Sequence, residues 1–291
     1  MDNVALFALV HGNPDGRGVP ASWLAGVLSR CCEGHGFIAD DGPPVDPALV
    51  RAWSVGGVQG SETLVQSRPV VRELRADFIA DFLRAPSQTT LAAHAFAASG
   101  PGSEDIPVPR LGLARFQRWL GVRAEGALAV ADDPGDALRD RLKASLPDFL
   151  QRALTHSGDR ELVVFGFLAA LHATGDLNKP YVAPPQIRRA LATLDDMLGR
   201  PARLNLFVCD GRTVGVIHRG GRLLVADAPA PAGSRRTLAH GPESRVQASL
   251  LIHDDGPADL PPAPEGAELR RLPEGIFTLH ARQPGQVERD E

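Results

Sequence analysis

The stretch from Val4 to Val10, with the sequence VALFALV, constrains the fold of this chain more than any other. All of its residues are apolar, a β-branched valine stands at each end, and the turn-forming sequence HGNPDG follows. A run this short suits a buried strand, because a helix would need roughly 10 residues or more. We therefore predict that the chain opens with a strand at the centre of a sheet.

The remaining patterns give strands, then helices, then strands again. Helices are predicted at residues 21–32, 70–84, 138–154, 159–173 and 185–198, of which 70–84 is clearly amphipathic. Further strands are predicted at residues 90–95, 115–122, 127–131, 204–209, 213–218, 222–226, 246–252 and 275–281. Turns at 125–126, Asp210-Gly211 and Gly220-Gly221 predict three hairpins. Because strands and helices do not alternate regularly, we predict an α+β fold, a four-layer αββα sandwich of two stacked antiparallel sheets.

The amino-acid composition limits the classes of function that are compatible with this chain. The chain has 291 residues, 43% of them hydrophobic and 23% charged, which is typical of a globular protein. We expect a single domain over residues 1–284 and a polar tail at 285–291. The formal charge of −4 argues against a nucleic-acid partner, which would require clustered lysine and arginine.

The cysteines and the hydropathy indicate the cellular compartment of the protein. Three cysteines, two of them adjacent, make no disulfide framework and no zinc spacing. No stretch approaches the ~18 apolar residues of a membrane span. We predict a cytoplasmic protein with no membrane contact and no cofactor.

Short motifs in a consistent order resemble those of class II glutamine amidotransferases. The resemblance covers nearly the whole chain and is strongest to the stand-alone branch that includes amidohydrolases of ergothioneine biosynthesis. The matching segments are Val4-Ala5-Leu6-Phe7-Ala8, Gly34-His35-Gly36, Ala93-His94-Ala95-Phe96, Trp119 with Ala124-Glu125-Gly126, Gly158-Asp159-Arg160-Glu161, Leu204-Asn205 with Asp210-Gly211-Arg212, Ala248-Ser249, and Leu272-Pro273-Glu274-Gly275. The resemblance implies the fold of Ntn hydrolases, in which the first residue of the leading strand is the nucleophile.

The same resemblance implies that the chemistry of the family is lost. Val4 stands where the family has a cysteine, whose thiol attacks the glutamine side-chain amide. Glu125 replaces an asparagine that helps to form the oxyanion hole, and loss of one such donor costs ~100-fold to 1000-fold in rate. Phe96 replaces the arginine that binds the substrate α-carboxylate through a bidentate contact.

Three further residues complete this vestigial pocket. Gly126 matches the oxyanion-hole glycine and Asp159 matches the aspartate that binds the substrate amine, although Asp159 also suits a helix N-cap. By strand alternation His94 lies on the same side as Phe96, either towards the pocket or as a core histidine. A pocket with Phe96 and Glu125 would prefer neutral or cationic small ligands.

A metal site and a serine hydrolase are weaker alternatives. His156, Asp159 and Glu161 are close in sequence, but they lack the i, i+4 spacing of a metal-binding helix, so we predict no metal. Ser99 and Ser157 have no evident histidine and aspartate partners.

Two hypotheses about function follow. The first is a catalytically inactive amidotransferase-like protein, a pseudoenzyme that acts as a binding or scaffolding subunit for a partner such as a bacterial biosynthetic enzyme. The second is a divergent amidohydrolase that cleaves a glutamine-like or γ-glutamyl amide bond, with Glu125, His94 or Asp159 as acid or base. A homodimer is compatible with either hypothesis.

Overall fold

The computed structural model describes residues 4–11, 50–59, 62–69, 90–97, 113–123, 135–155, 159–201, 203–227, 248–254, 268–280 and 287–289. The strands within these ranges are β1 (Val4–His11), β2 (Val50–Gln59), β3 (Glu62–Pro69), β4 (Thr90–Ala97), β5 (Ala114–Phe116), β6 (Trp119–Arg123), β7 (Leu204–Cys209), β8 (Thr213–Arg219), β9 (Arg222–Asp227), β10 (Ala248–Asp254), β11 (Glu268–Leu272), β12 (Gly275–His280) and β13 (Val287–Arg289). The helices are α1 (Gly135–Ser145), α2 (Asp148–Ala153), α3 (Asp159–Ala173) and α4 (Pro184–Met197).

The strands form two antiparallel sheets. The seven-stranded sheet has the order β11-β9-β10-β1-β4-β2-β3, and the six-stranded sheet has the order β13-β12-β8-β7-β6-β5. Strand β1 pairs with β10 on one side and with β4 on the other. It is therefore the middle strand of its sheet, as its short apolar sequence predicts.

The two sheets are stacked, with β4 lying against β6 and β7 and β1 lying against β8. A cluster of buried apolar side chains fills the space between them. Its members are Val58, Leu113, Leu120, Val122, Phe207, Cys209, Val214, Val216, Leu223, Val225, Leu272, Phe277 and Leu279. Burial of apolar surface between the layers is the main force that holds the sheets together.

The helices cover the outer face of the six-stranded sheet. In β7, Leu206 and Val208 belong to the core shared with the helices, whereas Phe207 and Cys209 belong to the core between the sheets. This alternation is the two-residue period of a strand that is buried on both faces. Helix α3 packs between the sheet and its neighbours α1 and α4, so it is apolar around most of its circumference.

The predicted α+β fold with two stacked antiparallel sheets is confirmed. The predicted helices at 21–32 and 70–84, which would supply the fourth layer, lie outside the described residues, as does the predicted strand at 127–131. The domain boundary at 284 stays a prediction. Within the described ranges, no helix is long and apolar enough to span a membrane.

Three local predictions are wrong. The single helix predicted at 138–154 is interrupted at residues 146–147, so α1 ends at Ser145 and α2 begins after Pro147. The Gly220-Gly221 turn does not form a hairpin, because β8 already pairs with β7 and β12 and the chain crosses into the other sheet to form β9. Both glycines have positive φ, 70° and 72°, which suits this abrupt change of direction. The stretch 115–122 is not one strand but the hairpin of β5 and β6.

Candidate functional site

Val4 begins the middle strand of the seven-stranded sheet and is the register partner of Phe96 in β4. Phe96 is in turn the register partner of Ala52 in β2. Two of the residues that the sequence analysis assigns to the vestigial pocket, Val4 and Phe96, are therefore neighbours on adjacent strands. We refer to this edge of the two stacked sheets as the Val4 end.

His94 lies one pleat further along the same strand pair, opposite Leu6. On the other side of Leu6 stands His253 of β10, which the sequence analysis did not select. His94 thus lies in the same part of the sheet as Val4 and Phe96, two residues before Phe96 in β4.

The remaining predicted pocket residues are not brought together by the described structure. Glu125 and Gly126 lie outside the described residues. Asp159 is the first residue of α3. It is therefore the first helical position, one residue after the N-cap.

Glu161 has a local structural role. Its Oε1 atom accepts hydrogen bonds from the backbone N–H of Thr155 at 3.0 Å and from the Thr155 hydroxyl at 2.7 Å. This carboxylate ties the start of α3 to the end of the segment that contains α2. The described residues contain no group of three or more histidine, cysteine, aspartate or glutamate side chains arranged to hold a metal ion.

The connection between β8 and β9 lies at the Val4 end as well. Leu6 pairs with His253, and His253 pairs with Leu223 at the start of β9. Strand β8, which packs on β1, ends just before this connection. Residues near the end of β8 are therefore positioned at the same end as the start of β1.

His218 occupies this position and is almost completely buried. Its Nδ1 atom lies 2.7 Å from Oδ1 of Asn205, its register partner in β7. The Asn205 amide nitrogen donates to the carbonyls of Arg219 at 2.9 Å and Gly220 at 3.1 Å, so its Oδ1 is oriented as an acceptor. His218 must then carry its proton on Nδ1, which leaves Nε2 as the basic nitrogen of the neutral ring.

Burial lowers the pKa of His218 from 6.5 to about 4, with Glu274 raising it and Arg271 lowering it to smaller extents. Desolvation of the imidazolium is the main cause. The ring is consequently neutral at pH 7, and its low pKa makes it a weaker base than an exposed histidine. The sequence analysis missed His218, although its place near the end of an apolar strand, two residues before the Gly220-Gly221 turn, was a usable signal.

The adjacent residue, Arg219, fixes the end of β8 to helix α4. Its Nε and Nη2 atoms donate to Oδ1 and Oδ2 of Asp195 at 3.1 and 2.5 Å. The Asp195 carboxylate is buried, and its hydrogen bond raises the pKa of Arg219. Glu274 accepts a hydrogen bond from the backbone N–H of Gly220 at 3.0 Å, which adds a second anchor to the β8–β9 connection.

Cys209 is the free cysteine within the described residues, and it does not resemble a nucleophile. It lies in the core between the sheets, and burial raises the pKa of its thiol to about 12. Because the thiolate is the reactive form, this cysteine is inert at neutral pH.

Comparison with known proteins identifies the fold. No protein family model and no curated protein sequence matches this chain. Among solved structures, it is similar to the glutamine phosphoribosylpyrophosphate amidotransferase of B. subtilis, with 12% identity, a TM-score of 0.51 and coverage of 98% of this chain and 49% of that one. A structure described as the allosteric regulatory enzyme of purine biosynthesis matches with 12% identity, a TM-score of 0.52 and coverage of 98% and 48%.

A stand-alone protein is similar at a lower score. It is a glutamine aminotransferase class-II domain protein from Silicibacter pomeroyi, with 13% identity, a TM-score of 0.47 and coverage of 96% of each chain. This chain spans about half the length of the two larger enzymes. Together with the two stacked antiparallel sheets, those two matches identify a glutamine amidotransferase-like fold.

Proposed function

We propose that this protein is a catalytically inactive relative of the class II glutamine amidotransferases that serves as a binding or scaffolding subunit. The proposal rests on one observation above the others. The residue at the start of the middle strand, where the resemblance calls for the thiol nucleophile, is Val4, and its register partner is Phe96. A valine side chain offers no atom that can attack an amide.

The state of the described cysteine supports the proposal. Another nucleophile could in principle take over from the missing amino-terminal thiol. Cys209 is a poor candidate because it belongs to the six-stranded sheet and its pKa is raised to about 12. Activation of a thiol requires a lowered pKa, which is the opposite of what burial produces here.

The proposed ligand of the vestigial pocket is small and neutral or cationic. Replacement of an arginine by Phe96 removes the attraction for an α-carboxylate, and Glu125 adds a negative charge where the family has a neutral donor. L-glutamine and L-glutaminamide form a matched pair of probes, because they differ only in the carboxylate that the arginine would bind. We expect glutaminamide to bind more tightly, as measured by calorimetric titration, and a preference for glutamine would contradict this part of the proposal.

Turnover assays test the inactivity directly. The purified protein is incubated with glutamine, glutaminamide and a γ-glutamyl anilide, and release of ammonia, glutamate or aniline is measured. We expect no release above the level of a matched preparation without the protein, while circular dichroism shows that the protein is folded. Saturable turnover that is lost on substitution of a pocket residue would refute the proposal.

The scaffolding role requires a protein partner, which we expect to be a biosynthetic enzyme encoded nearby in the same genome, with a homodimer of this chain as an alternative assembly. Copurification at a fixed stoichiometry, measured by light scattering after size exclusion, tests it. A monomer that never associates with the enzymes encoded beside it would count against the role.

A divergent amidohydrolase is the second candidate, and His218 is the observation that favours it. Its buried neutral imidazole lies at the same end of the sheets as Val4 and can accept a proton, although a pKa of about 4 makes it a weak base at neutral pH. If this candidate is correct, turnover of a γ-glutamyl amide should fall by about 100-fold or more in His218→Gln. The same loss in Glu125→Gln, with His218→Gln unaffected, would instead identify Glu125 as the base.

A further inference from the structure

The opposite edge of the stacked sheets holds a second cluster of polar residues. Arg118 lies in the turn between β5 and β6, and Gln117 of this turn accepts a hydrogen bond from the hydroxyl of Thr63 at 2.9 Å. The turn at Gly211, between β7 and β8, approaches Val58 so closely that a Cβ atom there would lie 2.6 Å from that of Val58. Both turns therefore meet where β2 and β3 are joined, which we call the Arg118 end.

The two ends are well separated. Ala52 of β2 lies in the row of Val4 and Phe96, and Val58 lies beside the Gly211 turn. Residues 52 to 58 of a strand span about 20 Å at 3.3 Å per residue. A ligand at the Arg118 end would not contact the vestigial pocket.

One edge of the Arg118 guanidinium makes no hydrogen bond within the described structure. Its Nε and Nη2 atoms are both buried and have no hydrogen-bond partner within the described structure. These two atoms form one side of the planar group, the fork that binds two oxygens of a carboxylate or phosphate in parallel. A buried donor without a partner is costly, so a bound oxyanion would be favoured there.

The surroundings of Arg118 include an aromatic ring, one negative charge and one further positive charge. Its guanidinium carbon lies 5.8 Å from the centroid of the Trp119 ring, within the range of a cation–π contact. Desolvation lowers the pKa of Arg118, with the nearby Asp210 raising it and the nearby Arg212 lowering it. The Asp210 carboxylate is hydrogen-bonded within its own turn. Its Oδ1 accepts hydrogen bonds from the backbone N–H groups of Arg212 at 3.0 Å and Thr213 at 2.9 Å.

A rigid loop positions the second arginine. The guanidinium of Arg212 lies 5.9 Å from the centroid of the Tyr181 ring. Tyr181 belongs to the α3–α4 connection, in which the carboxylate of Asp176 accepts hydrogen bonds from Thr174, Lys179 and Gln186. Each arginine is thus held against an aromatic ring, which reduces the entropy that would be lost on binding.

We propose that the Arg118 end is a binding site for a small oxyanion, in which the Nε and Nη2 edge of Arg118 binds two oxygens of a carboxylate or phosphate group and Arg212 supplies a second positive charge. The same end of the six-stranded sheet carries two more buried polar atoms without partners in the described structure, Nε1 of Trp119 and Oγ1 of Thr213. The site is independent of the function proposed for the Val4 end.

Titration with inorganic phosphate, and separately with succinate, tests the site and distinguishes the two oxyanion classes. The full chain is labelled with nitrogen-15 arginine, and the Nε–H resonance of Arg118 is followed in low-salt buffer. We expect a saturable shift of this resonance with at least one of the two anions. No shift with either anion would overturn the proposal, and this readout needs no variant beyond the one that assigns the resonance.

Two variants of one hairpin provide the matched comparison. Arg118→Lys keeps the charge but removes the fork, and we expect it to weaken anion binding at least ~10-fold by calorimetry. Arg115→Lys makes the same change at an exposed position of β5, and we expect its affinity to stay within ~2-fold of the parent. Equal affinities for the two variants would show only nonspecific attraction to surface charge and would overturn the proposal.

Discussion

The Oδ1 atom of Asn205 lies 2.7 Å from Nδ1 of His218, and both side chains are buried between two stacked sheets. The same asparagine binds the carbonyls of Arg219 and Gly220, where the chain leaves one sheet for the other. One amide thus fixes the protonation site of a histidine and the path of the β8–β9 connection.

Asn205→Ala should destabilise the protein by roughly 2–4 kcal/mol, because it leaves two backbone carbonyls and the Nδ1–H of His218 without their partner in a buried position. Urea denaturation measures the effect. Thr193→Ala is a suitable control, since the Thr193 hydroxyl bonds to the Arg189 carbonyl on an exposed helix face and its loss should cost less than ~0.5 kcal/mol. Equal effects of the two changes would show that the buried amide has no special role.

The stability of the protein should depend on pH through His218. The folded state keeps this ring neutral down to about pH 4, whereas the unfolded chain protonates it near pH 6.5. The unfolded state then binds more protons between these values, so the free energy of unfolding decreases as the pH falls through this window. By pH 5 the loss should be about 2 kcal/mol relative to pH 7.

His218→Gln tests this assignment, because glutamine retains a donor for Asn205 but does not titrate. We expect urea denaturation of the variant to give a flatter dependence on pH between 7 and 5 than that of the parent. A variant with the same slope as the parent would assign the acid sensitivity to other groups.

The fold was largely predictable because the segments with the clearest sequence patterns keep their predicted secondary structure when the chain packs. The apolar run at Val4–Val10 and the turn at Asp210-Gly211 correspond to the middle strand β1 and the β7–β8 hairpin. The Gly220-Gly221 turn misled the prediction, since the local pattern of a hairpin does not reveal that both edges of β8 are already occupied. Strands β2 and β3 were missed because their sequence, VRAWSVGGVQ followed by ETLVQSRP, is too polar and glycine-rich to alternate clearly.

Asp195 and Arg219 should behave as an ion pair in which the carboxylate is buried and the arginine is partly exposed. Arg219→Met leaves the buried carboxylate of Asp195 without its partner, and we expect a loss of about 3 kcal/mol in the free energy of unfolding. The double variant Asp195→Leu with Arg219→Met removes both charges, and it should recover most of this loss.

The adjacent Asp196 provides the control for that cycle. It pairs with Arg200 at 2.9 Å, but both side chains are mostly exposed. Asp196→Ala should therefore change the stability by less than ~1 kcal/mol. A double variant at the buried pair that is as unstable as Arg219→Met alone would indicate that packing, not charge, determines the cost.

Gly121 allows a close approach between the six-stranded sheet and α3. A Cβ atom at this position would lie 2.6 Å from Cγ1 of Val164, well inside van der Waals contact. We expect Gly121→Ala to destabilise the protein by about 1–3 kcal/mol, and the added change Val164→Ala to restore part of the loss. Thermal denaturation of the two variants measures both effects, and an unchanged melting temperature for Gly121→Ala would show that the helix can move aside at little cost.

The site was less predictable than the fold. Motif resemblance selected Val4, His94 and Phe96, and the strand register does bring these residues to one place. The motif comparison could not select His218, because it selects residues that match the family's motifs. A buried residue outside those motifs is not detected in this way. Arg118 was missed for a different reason, since the turn that contains it meets segments from distant parts of the chain.

Restoring the family residues should restore chemistry only in combination. A variant that lacks residues 1–3 and carries Val4→Cys would present a free amino-terminal thiol, yet we expect almost no glutamine hydrolysis from it. Phe96 would still provide no partner for the substrate carboxylate, and Glu125 would still oppose the developing oxyanion, which costs ~100-fold to 1000-fold for one missing donor. Adding Phe96→Arg and Glu125→Asn should raise glutamate release at least ~100-fold over the single change.

The matched control carries Phe96→Arg and Glu125→Asn but keeps Val4, and it should be inactive because it has no nucleophile. If Val4→Cys alone were as active as the triple variant, then Phe96 and Glu125 would not be the obstacles that the sequence suggests, and the inactivity proposed for this chain would reduce to the absence of one sulfur atom.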